Sequence, residues 1–160
     1  MAKKQHRYAA RVVWTGNRGA GTVTHRGYER AYLIEVAGKQ PIGGSSDPAF
    51  RGDPSRWNPE ELLVASLSAC HKLWYLSLCA EAGVVVISYE DDAEGLMVEE
   101  ASGAGQFASV TLRPRVTIAA GADADRARAL HHRAHAMCFI ARSVNFPVTQ
   151  EPTILREAAS

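Results

Sequence analysis

An α+β domain with a largely antiparallel sheet is the architecture that this sequence predicts, and three observations carry the prediction. Short segments rich in β-branched and aromatic residues come in hairpin-like runs, and two long helical stretches interrupt them, in the order strands, helix, strands, helix, strand. The 160 residues, 46% hydrophobic and 22% charged, suit one ordinary domain spanning residues 1–160. One stretch, Asn58–Glu81, is apolar on nearly every side, a pattern that belongs in the middle of a core.

The elements follow in chain order. Tyr8–Trp14 is rich in β-formers and reads as the first strand. Thr15–Gly21 (TGNRGAG) is a turn, with Arg18 at its tip. Thr22–His25 and Arg30–Val36 read as further strands, separated by a turn at Gly27. Ala37–Trp57, rich in glycine, proline and serine, is a long irregular connection of the kind that often covers a site. At Asn58 a helix-start signal appears: Asn58 suits the N-cap, Pro59 the first helical position, and Glu60 and Glu61 oppose the positive end of the helix dipole. Gly83 is the C-cap glycine. Val84–Tyr89 and Ala93–Val98 read as paired strands. Phe107–Ala119 reads as one long strand, in which Pro114 implies an edge or a bulge. Asp123 or Asp125 caps a second helix running to about Arg142, and a strand near Val148–Leu155 closes the chain. A single sheet system does not cover every side of the first helix, so a homodimer sharing it is expected.

Composition narrows the function classes. The net charge is +1 with no basic block, which argues against nucleic acid or an anionic membrane as a partner. The basic residues at the start precede no long apolar run, so no secretory signal is read there, and no stretch is read as a membrane span. A cytoplasmic protein is the expectation. Its three cysteines are an odd number without scaffold-like spacing, which argues against a structural disulfide framework.

Free thiols in a reducing compartment are core filler or reactive groups. Cys70, at the centre of the first helix beside His71 and Lys72, is open to both readings. Cys79 lies nine residues on, which at about 100° per residue puts it on the opposite side of the helix, and it reads as core. Cys138 ends the segment ARALHHRAHAMC, where His131, His135 and Cys138 fall on one helical face. Imidazole and thiolate suit zinc, but structural zinc sites usually draw ligands from two or more chain segments, so this is a weak metal pattern and no metal or other cofactor is expected.

Asn58-Pro59-Glu60-Glu61-Leu62-Leu63, followed seven residues later by Cys70, resembles the NPEELL…AC signature of the OsmC/Ohr family. Ala134-His135-Ala136-Met137-Cys138 is similar to that family's second cysteine segment, and Asn17-Arg18-Gly19 to the segment holding its active-site arginine. The resemblance runs from Trp14 to the last strand. It implies an OsmC/Ohr-like α+β fold, sheets wrapped around two long central helices, in an intertwined homodimer. It further implies a thiol-dependent peroxidase acting on organic hydroperoxides: Cys70 as peroxidatic thiol, Cys138 as resolving thiol, Glu60 and Arg18 as acidic and basic partners, and an external dithiol as reductant. The chemistry is consistent with what a thiol can do. Thiolate attack on a peroxide gives a sulfenic acid, which a second thiol converts to a disulfide.

Two features set the chain apart from the family pattern. Phe139 follows Cys138 where many relatives carry proline, and His71-Lys72-Leu73-Trp74-Tyr75 is more polar and aromatic than the usual run after the first thiol. Trp14, Trp57, Trp74 and Tyr75 are candidates either for an apolar substrate pocket or for plain core, with Trp74 assigned to the core. Helix geometry adds a constraint: ten residues on one unbroken helix separate Glu60 from Cys70 by about 15 Å along the axis, more than a carboxylate side chain spans. Either the helix breaks after its first turn or Glu60 serves the thiol of the other subunit. A non-catalytic protein holding a hydrophobic ligand at the dimer cleft is the alternative to the peroxidase.

Overall fold

A computed structural model describes residues 3–158. The chain divides after Leu62 into two compact units. The first holds an antiparallel sheet, β1 (Arg11–Trp14), β2 (Tyr32–Glu35) and β3 (Ile42–Gly44), in that order. Asn17 organises the turn after β1, its Oδ1 accepting from the N–H groups of Gly19 and Gly21. The strand expected over Thr22–His25 is absent. Thr24 instead offers its carbonyl to Gly27 N–H at 3.0 Å, and Glu29 closes back on Gly16 through an N–H···O bond of 2.9 Å, which winds these residues into turns. Local turn bonding overrides the β-propensity of Thr22, Val23 and Thr24.

The connection Ala37–Trp57 is less irregular than its composition implies. It contains β3 and a 3₁₀ turn, Pro48–Phe50, capped by Asp47. Gly52 is required there, because a Cβ on it would collide with the Ser46 carbonyl.

Helix α1 (Pro59–Glu81) starts as the sequence indicates. Asn58 Oδ1 accepts from Glu61 N–H at 2.8 Å, and Glu61 Oε2 accepts from Asn58 N–H at 3.2 Å, a complete capping box. It ends at Gly83, whose φ of 73° lets Val84 N–H return to the Cys79 carbonyl at 2.9 Å. Contrary to the sequence reading, the helix is long and apolar enough, by length and composition, to cross a membrane. Its buried side chains are Leu67, His71, Tyr75, Leu78 and Cys79, a single stripe, while Leu73 is 64% exposed. One face is covered and the other apolar face is not.

The second unit packs α1 against two three-stranded sheets. One has the order β4 (Val86–Asp91), β7 (Pro114–Ile118), β9 (Thr153–Arg156), and the other β5 (Glu94–Glu99), β6 (Gly105–Leu112), β8 (Val148–Gln150). Pairs β4–β7 and β5–β6 are antiparallel, but β6–β8 and β7–β9 are parallel, so the sheets are mixed. The long strand expected over Phe107–Ala119 is two strands in different sheets, and so is the closing segment Val148–Leu155. Pro114 begins β7, the strand position where a missing N–H does least harm. Asp91 stabilises the switch by accepting from Arg113 N–H at 2.7 Å and from the Ser68 hydroxyl. Each sheet faces its own cluster: Tyr75, Leu78, Val116 and Ile118 with α2, and Leu67, Val110, Leu112 and Val148 under β6.

Helix α2 (Ala124–Met137) is capped by Asp123, whose Oδ1 accepts from Arg126 N–H at 3.0 Å. It stops five residues before the expected Arg142. Cys138 is its C-cap, in extended conformation, and a 3₁₀ turn, Ala141–Ser143, follows.

Candidate functional site

Cys70 is half-buried at the middle of α1, and Cys138 is buried at the end of α2. Cys138 closes α2 as its C-cap, and its thiol lies near enough to that of Cys70 for the two to act on each other. Burial pushes the Cys138 thiol up to about 11, and the adjacent Cys70 sulfur adds to the rise, while the Ala141 N–H directed at Cys138 Sγ (3.4 Å) opposes it. Cys138 therefore keeps its proton at neutral pH. Of the two thiols, Cys70 is the more exposed and Cys138 the more deeply buried.

Cys70 opens into an apolar cavity of about 300 Å³ lined by Leu73, Trp74, Ser77 and Phe139. The Trp74 and Phe139 rings meet edge to face, with centroids 5.6 Å apart. Trp74 packs against the core cluster, as expected, and also lines the pocket beside the thiol, whereas Tyr75 is fully buried and donates to the Ala127 carbonyl at 3.0 Å. Trp14 and Trp57 lie in the first unit, 43% and 52% exposed. Leu73, Ser77 and Phe139 were not singled out as site residues from sequence. The signal for Phe139 was present, as the aromatic ring standing where relatives carry proline. Cys79 is core, 1% exposed, and burial raises its thiol pKa.

His131, His135 and Cys138 all bear on α1 but do not come together as a ligand set. His131 turns inward, its Nδ1 2.9 Å from His71 Nε2 and its ring stacked on Tyr75 at 3.9 Å between centroids. Cys138 instead faces Cys70, and among the described residues no three metal-type ligands converge. Both imidazoles are kept neutral by burial, His71 down to about 4 and His131 down to about 3, with His135 adding to the effect on His71, and His71, Arg128 and His132 to that on His131.

The two charged candidates lie in the first unit. Arg18 projects from its turn and pairs with Glu29 rather than Glu60, Nη2 to Oε1 at 2.6 Å, with both side chains more than half exposed. Glu60, partly buried in the first turn of α1, lies close enough to Tyr32 to help raise the phenol's pKa, an effect in which desolvation is the larger cause. Because α1 is unbroken from Pro59 to Glu81, the axial separation of about 15 Å between Glu60 and Cys70 stands. Of the four predicted site residues, the structure joins Cys70 to Cys138 and leaves Glu60 away from its own chain's thiol.

The fold and the site define a class: an α+β protein with two adjacent cysteines, one at the mouth of an apolar pocket. The profile of the OsmC-like protein family matches residues 52–152, and the chain belongs to that family. An OsmC-like protein of unknown function from Vibrio cholerae O1 biovar eltor is 32% identical, with 93% of this chain and all of that one aligned and a TM-score of 0.83. An organic hydroperoxide resistance protein from Elizabethkingia anophelis shares the fold at 17% identity, covering 96% of this chain and 100% of the other, with a TM-score of 0.68. A further organic hydroperoxide resistance protein, from Legionella pneumophila, aligns at 15% identity over 96% and 99% of the two chains, with a TM-score of 0.65. The sequence has no significant match among curated proteins.

Proposed function

We propose that this protein is a thiol-dependent peroxidase that reduces organic hydroperoxides in the cytoplasm. The observation that carries the reading is the contact between the Cys70 and Cys138 thiols at an apolar pocket. The Cys70 thiolate attacks the distal peroxide oxygen. The O–O bond breaks, the alkoxide leaves and takes a proton to become the alcohol, and Cys70 is oxidised to a sulfenic acid. Cys138 then attacks the sulfenic sulfur, water leaves, and a disulfide forms. An external dithiol reduces that disulfide by exchange, and no cofactor enters the cycle. The pocket of Leu73, Trp74 and Phe139 receives the organic part of the substrate.

Reduced protein is to be treated with one equivalent of an organic hydroperoxide and its thiols mapped by mass spectrometry. A Cys70–Cys138 disulfide with Cys79 still free is the expected product. Unconsumed peroxide and three free thiols would leave the alternative, a binding protein that holds a hydrophobic ligand in the same apolar pocket.

The working form is an intertwined homodimer. The reason is the uncovered face of α1, where Leu73 is 64% exposed, together with exposed apolar residues such as Ile87 and Val98 on the strands. In this dimer Glu60 serves the Cys70 of the partner, and Arg18 supplies the basic group that favours the thiolate. Heterodimers carrying Cys70→Ser in one subunit and Glu60→Ala in the other are expected to regain activity above either mutant homodimer, because one site keeps both native groups. No gain over the homodimers rules out the trans arrangement.

A further inference from the structure

Another feature of the first unit is a solvent-open cavity of about 470 Å³ lined by Arg18, Arg26, Arg30, Arg51 and Arg56. Only two carboxylates, Glu29 and Asp53, share the lining, leaving a surplus of three positive charges there, whereas the whole chain nets +1. Glu29 is taken by Arg18 at 2.6 Å, and Asp53 lies 3.8 Å from Arg56. Among the described residues no carboxylate pairs with Arg26, Arg30 or Arg51. Concentrating like charge in this way costs energy that a bound anion removes.

The arginines are also held in place. The Arg30 guanidinium lies 4.1 Å over the Tyr28 ring and donates to the carbonyls of Tyr28 and His25, both at 2.8 Å, contacts that fix its position without cancelling its charge. Arg51 has a φ of 65°, the one left-handed non-glycine residue among those described. An arginine in a backbone position that favours glycine is a local strain, and the carbonyls of Asp47 and Pro48 hold it through bonds to Gly52 and Arg51 N–H. Arg56 sits over Gly43, where a Cβ would stand 3.1 Å from its Nη1. Ser45 contributes a buried hydroxyl that accepts from Asp53 N–H at 3.1 Å and, among the described residues, gives its own proton to no protein acceptor.

We infer that this cavity is a binding site for a small phosphorylated molecule, with Arg26, Arg30 and Arg51 on the phosphate and the Ser45 hydroxyl within the lining. Guanidinium forks match phosphate oxygens two at a time, and a dianion neutralises most of the surplus charge. The volume exceeds that of a phosphate alone, and the scarcity of apolar lining suits a polar organic part rather than an acyl chain. Arg18 lines the cavity but is not assigned to the phosphate, and Arg26, Arg30, Arg51 and Ser45 have no part in the peroxidase cycle, so the site stands whether or not the protein reduces peroxides.

The test is titration calorimetry on the full chain at constant ionic strength, with inorganic phosphate, glucose 6-phosphate and glucose as probes. Saturable binding of phosphate or the sugar phosphate, one per chain and without binding of glucose, is expected. Tighter binding of the ester shows that the organic part is also held, and equal affinity shows recognition of the phosphate group alone. Arg51→Gly, which suits the backbone, and Arg26→Gln are each expected to weaken binding about tenfold through loss of a charge-assisted contact, whereas Lys39→Gln, outside the lining, leaves it unchanged. Absence of saturable binding to the native protein, or undiminished affinity in the Arg26→Gln/Arg51→Gly double variant, overturns the assignment.

Discussion

Replacing Cys70 with Ser is expected to lower kcat/KM for organic hydroperoxides by roughly 10⁴-fold or more, the scale seen when a nucleophile is removed from a catalytic unit. A hydroxyl at that position does not ionise near neutral pH, so the attacking species is lost while the apolar pocket remains. Cys138→Ser is expected to fail differently. The first equivalent of peroxide is still consumed in a burst, because Cys70 is intact, but steady turnover stops and excess peroxide carries the sulfenic acid on to the sulfinic state. Cys79→Ala, which empties a buried site lying among Tyr75, Leu78 and Val84, is expected to cost stability and leave the burst unchanged. Stopped-flow peroxide consumption combined with intact-mass analysis separates these outcomes. Full turnover by Cys70→Ser would transfer the chemistry elsewhere and end the peroxidase reading of this thiol.

Acid is expected to destabilise the protein well before its carboxylates titrate. His71 and His131, 1% and 2% exposed, bond to each other and are held neutral with pKa values of about 4 and about 3, against 6.5 for an ordinary imidazole. Above pH 6.5 both folded and unfolded chains carry them neutral, and their contribution to stability is fully present. As the pH falls below 6.5 the unfolded chain takes up protons that the folded chain refuses, so stability is lost progressively towards pH 4 and then pH 3. Each depressed imidazole accounts for a loss of several kcal/mol at the acid end, at about 1.4 kcal/mol per unit, and the two losses are not additive because the rings share a hydrogen bond. The charged or titratable neighbours that act on the pair, His135, Arg128 and His132, are all basic, so none of them stabilises an imidazolium. Urea melts at pH 7.5, 6 and 5 are expected to show a falling midpoint with little change in slope. A His71→Asn/His131→Gln variant, less stable at pH 7.5, is expected to show a flatter pH response. An unchanged native midpoint down to pH 5 would mean that these imidazoles find a proton-accepting partner in solution.

These two expectations come from different levels of description. The helix containing Cys70 was legible from local chemistry: Asn58, Pro59 and Glu61 start it, Gly83 stops it, and the structure reproduces both ends through specific hydrogen bonds. The two cysteine segments likewise identified the family without any coordinates. Strand boundaries in the second half were less legible. A strand that leaves one sheet at Leu112 and enters another at Pro114 looks continuous in a list of β-formers, and the switch depends on Asp91 accepting from Arg113 N–H, a partner 22 residues away. The parallel seating of β8 and β9 has no local signal either, because pairing direction follows from where the chain returns after α2.

The sequence by itself determined the α+β class, the position and caps of the central helix, the core role of Cys79 and the pairing of two cysteine motifs in one family pattern. Only the tertiary structure decided that α2 ends at Met137 and that Cys138 comes to lie beside Cys70. It alone showed His131 bound to His71, Trp74 and Phe139 lining a pocket, and five arginines from separate turns around one cavity. The division has a physical cause. Caps, turns and helical periodicity are interactions between residues a few positions apart, so they are written in short stretches of sequence. A thiol contact across 68 residues, or a charge surplus gathered from several turns, exists only once burial and backbone hydrogen bonding have chosen where each segment ends.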